Sequence, residues 1–248
     1  MISPTKQATI ITKLLGAGND GWHVLANVLA LVEENLARVG EYFAAMMRAV
    51  MGALAFWRRD PPLADADALA AFCFARASYV AQTTLYGYLR ARAGLAHFNL
   101  FTDKKFTALL RPARSRLVLA CLDDVAIYAA ALLDAPAAHK QKLAVYVFAH
   151  GVSELAGDEL SAAELKAART DFAARCELVD WAARAAPDKG VAAFAHSARS
   201  LIALAPIVDE LKKYDDEIVT NSMHFKWHAV RRELRARLDG HALLASLP

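Results

Sequence analysis

The stretch from Asn19 to Arg59 reads as one helix of about eleven turns, and it is too apolar to stand at a surface. On a helical wheel the polar side chains His23, Asn27, Glu34, Arg38, Glu41 and Arg48 fall within a strip about 80° wide. Trp22, Leu25, Leu29, Val32, Leu36, Tyr42, Phe43, Met46, Met47, Val50, Leu54, Phe56 and Trp57 belong to the apolar remainder. A helix apolar nearly all round must be covered by its own fold, by a second subunit or by lipid. Glu34 with Arg38 and Arg38 with Glu41 stand at pairing distance along the strip, which faces either water or a partner subunit.

Composition agrees with a large core or a buried oligomer surface. Of 248 residues, 56% are hydrophobic and 22% charged, with mean hydropathy +0.23. No linker divides the chain, so it reads as a single domain over residues 1–248. Charges at Glu33, Glu34, Arg38, Glu41 and Arg48 interrupt the longest apolar stretch, which argues against a membrane span. The first eighteen residues lack the pattern of an export signal. A net charge of +3 without a concentrated basic face argues against a nucleic-acid partner. Cys73, Cys121 and Cys176 stand apart, each within an apolar helical pattern, as buried thiols of a reducing compartment do; the expected location is the cytoplasm.

Helix signals recur along the chain. Ser3-Pro4 starts a short helix that ends at Gly16; Asn19 or Asp20 caps the long one, which Pro61-Pro62 stops. Asp65 or Asp67 opens a third helix that runs to about Arg92 and closes at Gly94. Thr102 opens the next, which bends or restarts at Pro112 and continues to Asp134. Leu143 to Ala149 reads as strand or helix, with helix favoured. Ser161 and Glu164 form a capping box for a helix reaching Pro187. A short helix spans about Val191 to Leu204, and a long one runs from Pro206 to Leu238 with Gly240 past its end. The fold class is all-α: about eight helices, orthogonal or bundle-like, around Asn19 to Arg59.

Four constellations carry possible chemistry. Gly16-Ala17-Gly18-Asn19-Asp20-Gly21 satisfies G-x-G-x-x-G, but a dinucleotide site needs flanking strands, and the helix that follows leaves no room for the second. The glycines read as a connection between two helices, and no cofactor is expected there.

Ala195-His196-Ser197-Ala198-Arg199 resembles the nucleophile elbow of α/β-hydrolase esterases, with Ala195 as the small residue two before serine and Arg199 where the second small residue would stand. His150-Gly151 resembles that family's oxyanion-loop His-Gly, and Asp209, Asp215, His224, His228 and His241 keep the order serine, aspartate, histidine. The resemblance implies a small hydrolase with Ser197 as nucleophile and His150 and Asp215 in its machinery, which requires a sheet. On the last helix, Glu217, His224 and His228 share a face, and the two histidines, about 6 Å apart in rise, have the spacing to share zinc or iron. That face also carries Lys213, Arg231, Arg232 and Arg235, as a solvated stripe does.

Asp123-Asp124 lies among Cys121, Leu122, Val125, Ile127 and Tyr128, where carboxylates must be paired or have raised pKa values. The D-D-x-x-D motif of helical prenyl-transfer enzymes would need an acid at Ile127, so the expectation is pairing with Arg114, Arg116 or Arg76. With no complete catalytic set, the chain reads as a helical binding protein and homo-oligomer, most simply a homodimer. Its ligand would be an apolar small molecule or a protein partner, with the hydrolase and the metal protein as alternatives.

Overall fold

The computed structural model describes residues 61–157, 159–186 and 192–246, the side chains of Ala96, His97 and Ala192 excepted. The chain divides into two compact units, Met1–Asp60 and Pro61–Pro248, and the boundary falls at Pro61-Pro62. The helix read over Asn19 to Arg59, its charged strip and the glycine pattern before it lie outside the described residues.

Within the second unit the structure is all-α. Its helices are α1 (Ala66–Ala93), α2 (His97–Thr102), α3 (Lys104–Ala131), α4 (Ala137–Glu154), α5 (Ala162–Glu177), α6 (Trp181–Ala185), α7 (Ala195–Leu204), α8 (Asp209–Lys212), α9 (Asp216–Arg237) and α10 (Gly240–Ser246). Strand-like pairing among the described residues is limited to one isolated bridge. There Leu63 N–H donates to Arg237 C=O and Asp239 N–H to Leu63 C=O, fastening the start of the unit to the end of α9. No described helix is long and apolar enough to cross a membrane.

Local sequence explains most boundaries. The Asp65 carboxylate accepts from Ala68 N–H to start α1, and Gly94, at φ 53°, ends it where a side chain would be strained. Asp103 rather than Thr102 caps α3, accepting from Lys105 and Phe106 N–H, and α3 passes through Pro112 without a break. The Ser161–Glu164 box forms reciprocally. Leu143 to Ala149 is helical, inside α4.

Two expected helices are shorter than the sequence suggested. Helix α5 ends at Glu177, and Asp180 recaps the chain for α6. The long last helix is broken at Lys213–Asp215, because Asp215 turns inward and its carboxylate accepts from Tyr88 hydroxyl and Arg92. Gly240 opens α10 instead of closing α9.

Helix α3 occupies the centre of the described unit. It packs on α1, α4 and α7 along its length, and every residue from Ala120 to Ala131 is buried. Gly151 of α4 lies against it so closely that a Cβ there would overlap Leu122 and press on Phe74. That glycine serves close helix packing.

Candidate functional site

A chain apolar at every turn of α3 still places two carboxylates there, and their solvation decides what surrounds them. Asp123 and Asp124 are both buried. Their cation is Arg175 of α5, whose guanidinium donates to Asp123 Oδ2 at 2.9 Å and Asp124 Oδ1 at 3.4 Å. Two of the arginines expected for this role are placed elsewhere: Arg76 pairs with Glu233 and Arg116 with Glu164.

Helix α7 supplies the other half of the arrangement. Phe194, at its N-cap position, offers no capping side chain, so the first-turn N–H groups need an acceptor from elsewhere. Asp124 Oδ2 provides it, accepting from Ser197 N–H at 2.7 Å. Both Asp124 oxygens are thereby engaged, whereas Asp123 Oδ1 is buried with no hydrogen-bond partner among the described residues.

Burial pushes the Asp123 carboxyl up to about 7 against the opposing pull of Arg175. Burial likewise raises Asp124, to about 6, with the Ser197 N–H among the groups that hold it lower. Burial, with Arg175 and Arg199 adding to it, depresses His196 to about 4, so its ring is neutral near neutral pH.

A cleft of about 290 Å³ opens beside this network. Three helices line it with residues at one-face spacing: Arg116, Leu119, Ala120 and Asp123 from α3; Ala168, Asp171, Phe172 and Arg175 from α5; His196, Ser200 and Leu204 from α7. Phe148 of α4 completes the wall, its ring stacked on Phe172 at 4.0 Å between centroids. The cleft thus joins an apolar surface to a buried carboxylate, one oxygen of which has no hydrogen-bond partner among the described residues.

The esterase-like expectation is corrected here. Ser197 lies within α7, after a 3₁₀ turn at Ala192–Phe194, and no strand precedes it among the described residues. Its hydroxyl is fully buried, donating to Phe194 C=O at 3.1 Å and accepting from Trp227 Nε1 at 3.1 Å. His150 and Gly151 belong to α4, not to an oxyanion loop, and Asp215 is held by Tyr88 and Arg92.

The residues expected to share a metal are not gathered into a set of three among the described residues. Glu217 stands seven residues before His224, about 10 Å along the helix axis. Among the described residues no group of three or more His, Cys, Asp or Glu side chains is placed to hold a metal ion. His228 is exposed and lines a different concavity.

Asp123 was legible in the sequence as a carboxylate in apolar surroundings. Arg175 and His196 were not, although their spacings from Phe172 and Ser200 match the cleft-facing stripes. Compared with family models, curated proteins and solved structures, the chain matches none. The geometry alone therefore carries the functional reading.

Proposed function

We propose that the protein is a helical binding protein whose cleft between α3, α5 and α7 takes a small, mostly apolar molecule bearing one cationic or N–H head. The carrying observation is Asp123 Oδ1, a buried acceptor without a partner among the described residues, on a carboxylate that lines the cleft. Buried polar atoms are nearly always satisfied, and an amine or amidine satisfies this one while its body packs on Leu119, Phe148, Phe172 and Leu204. Arg175 is committed to the two aspartates, which keeps it from competing for that oxygen.

Benzamidine is a suitable probe, with an aromatic body and a head that matches a carboxylate. Calorimetric titration is expected to show saturable binding that strengthens from about pH 6 to about pH 8, as Asp123 loses its proton. Asp123→Asn is expected to weaken binding by roughly tenfold or more and to remove the pH dependence. Absence of saturable binding, together with native mass spectrometry showing no co-purifying small molecule, would sink this reading.

Self-association belongs to the same proposal and is supported by the sequence alone, through the apolar stretch Asn19 to Arg59. A cytoplasmic setting is supported by Cys73, Cys121 and Cys176, all buried free thiols.

A further inference from the structure

The cleft beside Asp123 also holds an imidazole. His196 of α7 and Asp123 of α3 line it together, and one cation acts on both: Arg175 bonds to Asp123 at 2.9 Å, and its charge bears on the His196 ring. The two side chains therefore stand at the same end. His196 is half-buried, and the influences on its ring are burial and the charges of Arg175 and Arg199, with no hydrogen bond among them. Those influences keep the ring neutral near neutral pH, so one of its nitrogens is an acceptor.

Both acceptors are held by bonds made behind them. Arg175 fixes the Asp123 carboxylate through Oδ2, which leaves Oδ1 as the oxygen without a partner among the described residues. On α7, Ser197 gives its N–H to Asp124 at 2.7 Å and accepts from Trp227 Nε1, while the Phe194 ring stacks on the same indole. The turn that carries the imidazole is thus tied to the core on either side of it. Two acceptors from two helices, each on a fixed backbone, favour a pair of donors whose spacing is fixed as well.

An amidine or guanidine group sets its N–H donors in one rigid plane and is more weakly hydrated than an ammonium, so it loses less on entering a partly buried site. Charge draws no such distinction. Asp171 and Arg116, the charged groups that line the cleft besides Asp123 and Arg175, act alike on any singly charged head. We infer that the cleft selects a flat, forked N–H head, an amidine or guanidine group rather than an alkyl ammonium, which gives one N–H to Asp123 Oδ1 and another to the His196 ring. This rests on the binding reading above and names the head that the reading leaves open. His196 is then the residue that determines specificity.

Benzamidine and benzylamine share an aromatic body and a single positive charge and differ in the shape of the head. Calorimetric titration of the full chain at about pH 8, where Asp123 is mostly ionised, is expected to show benzamidine binding roughly tenfold more tightly. His196→Phe keeps a flat ring but no acceptor, and is expected to bring benzamidine down to the affinity of benzylamine while leaving benzylamine unchanged. His196→Gln, which restores an acceptor, is expected to recover part of the preference. Circular dichroism establishes that each variant is folded, and His196→Ala takes the place of His196→Phe if that variant is not. Equal affinity for the two probes, or a preference that survives loss of the imidazole, would overturn this inference and leave the binding reading standing. Saturable binding of neither probe would overturn both.

Discussion

Arg175 donates to both buried carboxylates, Asp123 and Asp124. Replacing it by Met removes the guanidinium bonded to both, and we expect a loss of about 3–5 kcal/mol at neutral to alkaline pH, read from denaturant midpoints. Near pH 5 the loss is expected to shrink, because Asp123 and Asp124, raised to about 7 and about 6, are then mostly protonated. The same values fix the pH dependence of the native protein. From about pH 4 to about pH 7 the folded state retains protons on these carboxyls that the unfolded chain releases, so their contribution to stability falls as pH rises. His196 acts in the opposite direction. Held neutral down to about 4, it must forgo the proton that the unfolded chain gains below 6.5, so its contribution falls as pH drops through that interval. Two carboxyls outweigh one imidazole, and His196→Gln is expected to steepen the gain in stability on acidification from about pH 8 to about pH 5, measured by urea unfolding. The burial of the aspartates was readable from their neighbours Cys121, Leu122 and Val125. Their partner was not, since nothing in a single sequence ties position 123 to position 175.

Helix α9 puts its core face and its outer face two residues apart. Trp227 is fully buried, stacks on Phe194 at 4.5 Å and donates to Ser197 Oγ, whereas Phe225 and Ile218 are 79% and 71% exposed. Trp227→Ala is expected to cost about 3–5 kcal/mol, and Phe225→Ala less than about 0.5 kcal/mol, by thermal or urea unfolding. Gly151→Ala tests the contact between α4 and α3. The new methyl group would press on Leu122, itself enclosed on all sides, so a loss of about 1–3 kcal/mol is expected. Element starts such as Asp65 and Ser161 were legible because their capping is local. The break before α9 was not, because it depends on Asp215 reaching Tyr88 and Arg92 on a helix more than a hundred residues earlier.

At the scale of the molecule, the core of the second unit is drawn from Leu63 to Leu243. A chain beginning at Pro61 is therefore expected to unfold cooperatively and to give a strongly helical far-ultraviolet spectrum; loss of cooperativity would refute this. The all-α class was legible because helical periodicity repeats in almost every segment, while the position of α3 at the centre emerges only from packing. One bond links this architecture to the order in which it is built. Helix α7 has ten residues and no side-chain cap of its own, and the carboxylate that closes its first turn lies 73 residues upstream. So short a helix is marginal in isolation. Its nucleation therefore awaits the docking of α3, which makes α7 a late element of folding and couples its opening to that of the centre. In native-state hydrogen exchange, the Ser197 amide is expected to open together with α3 and not with the segment that precedes it.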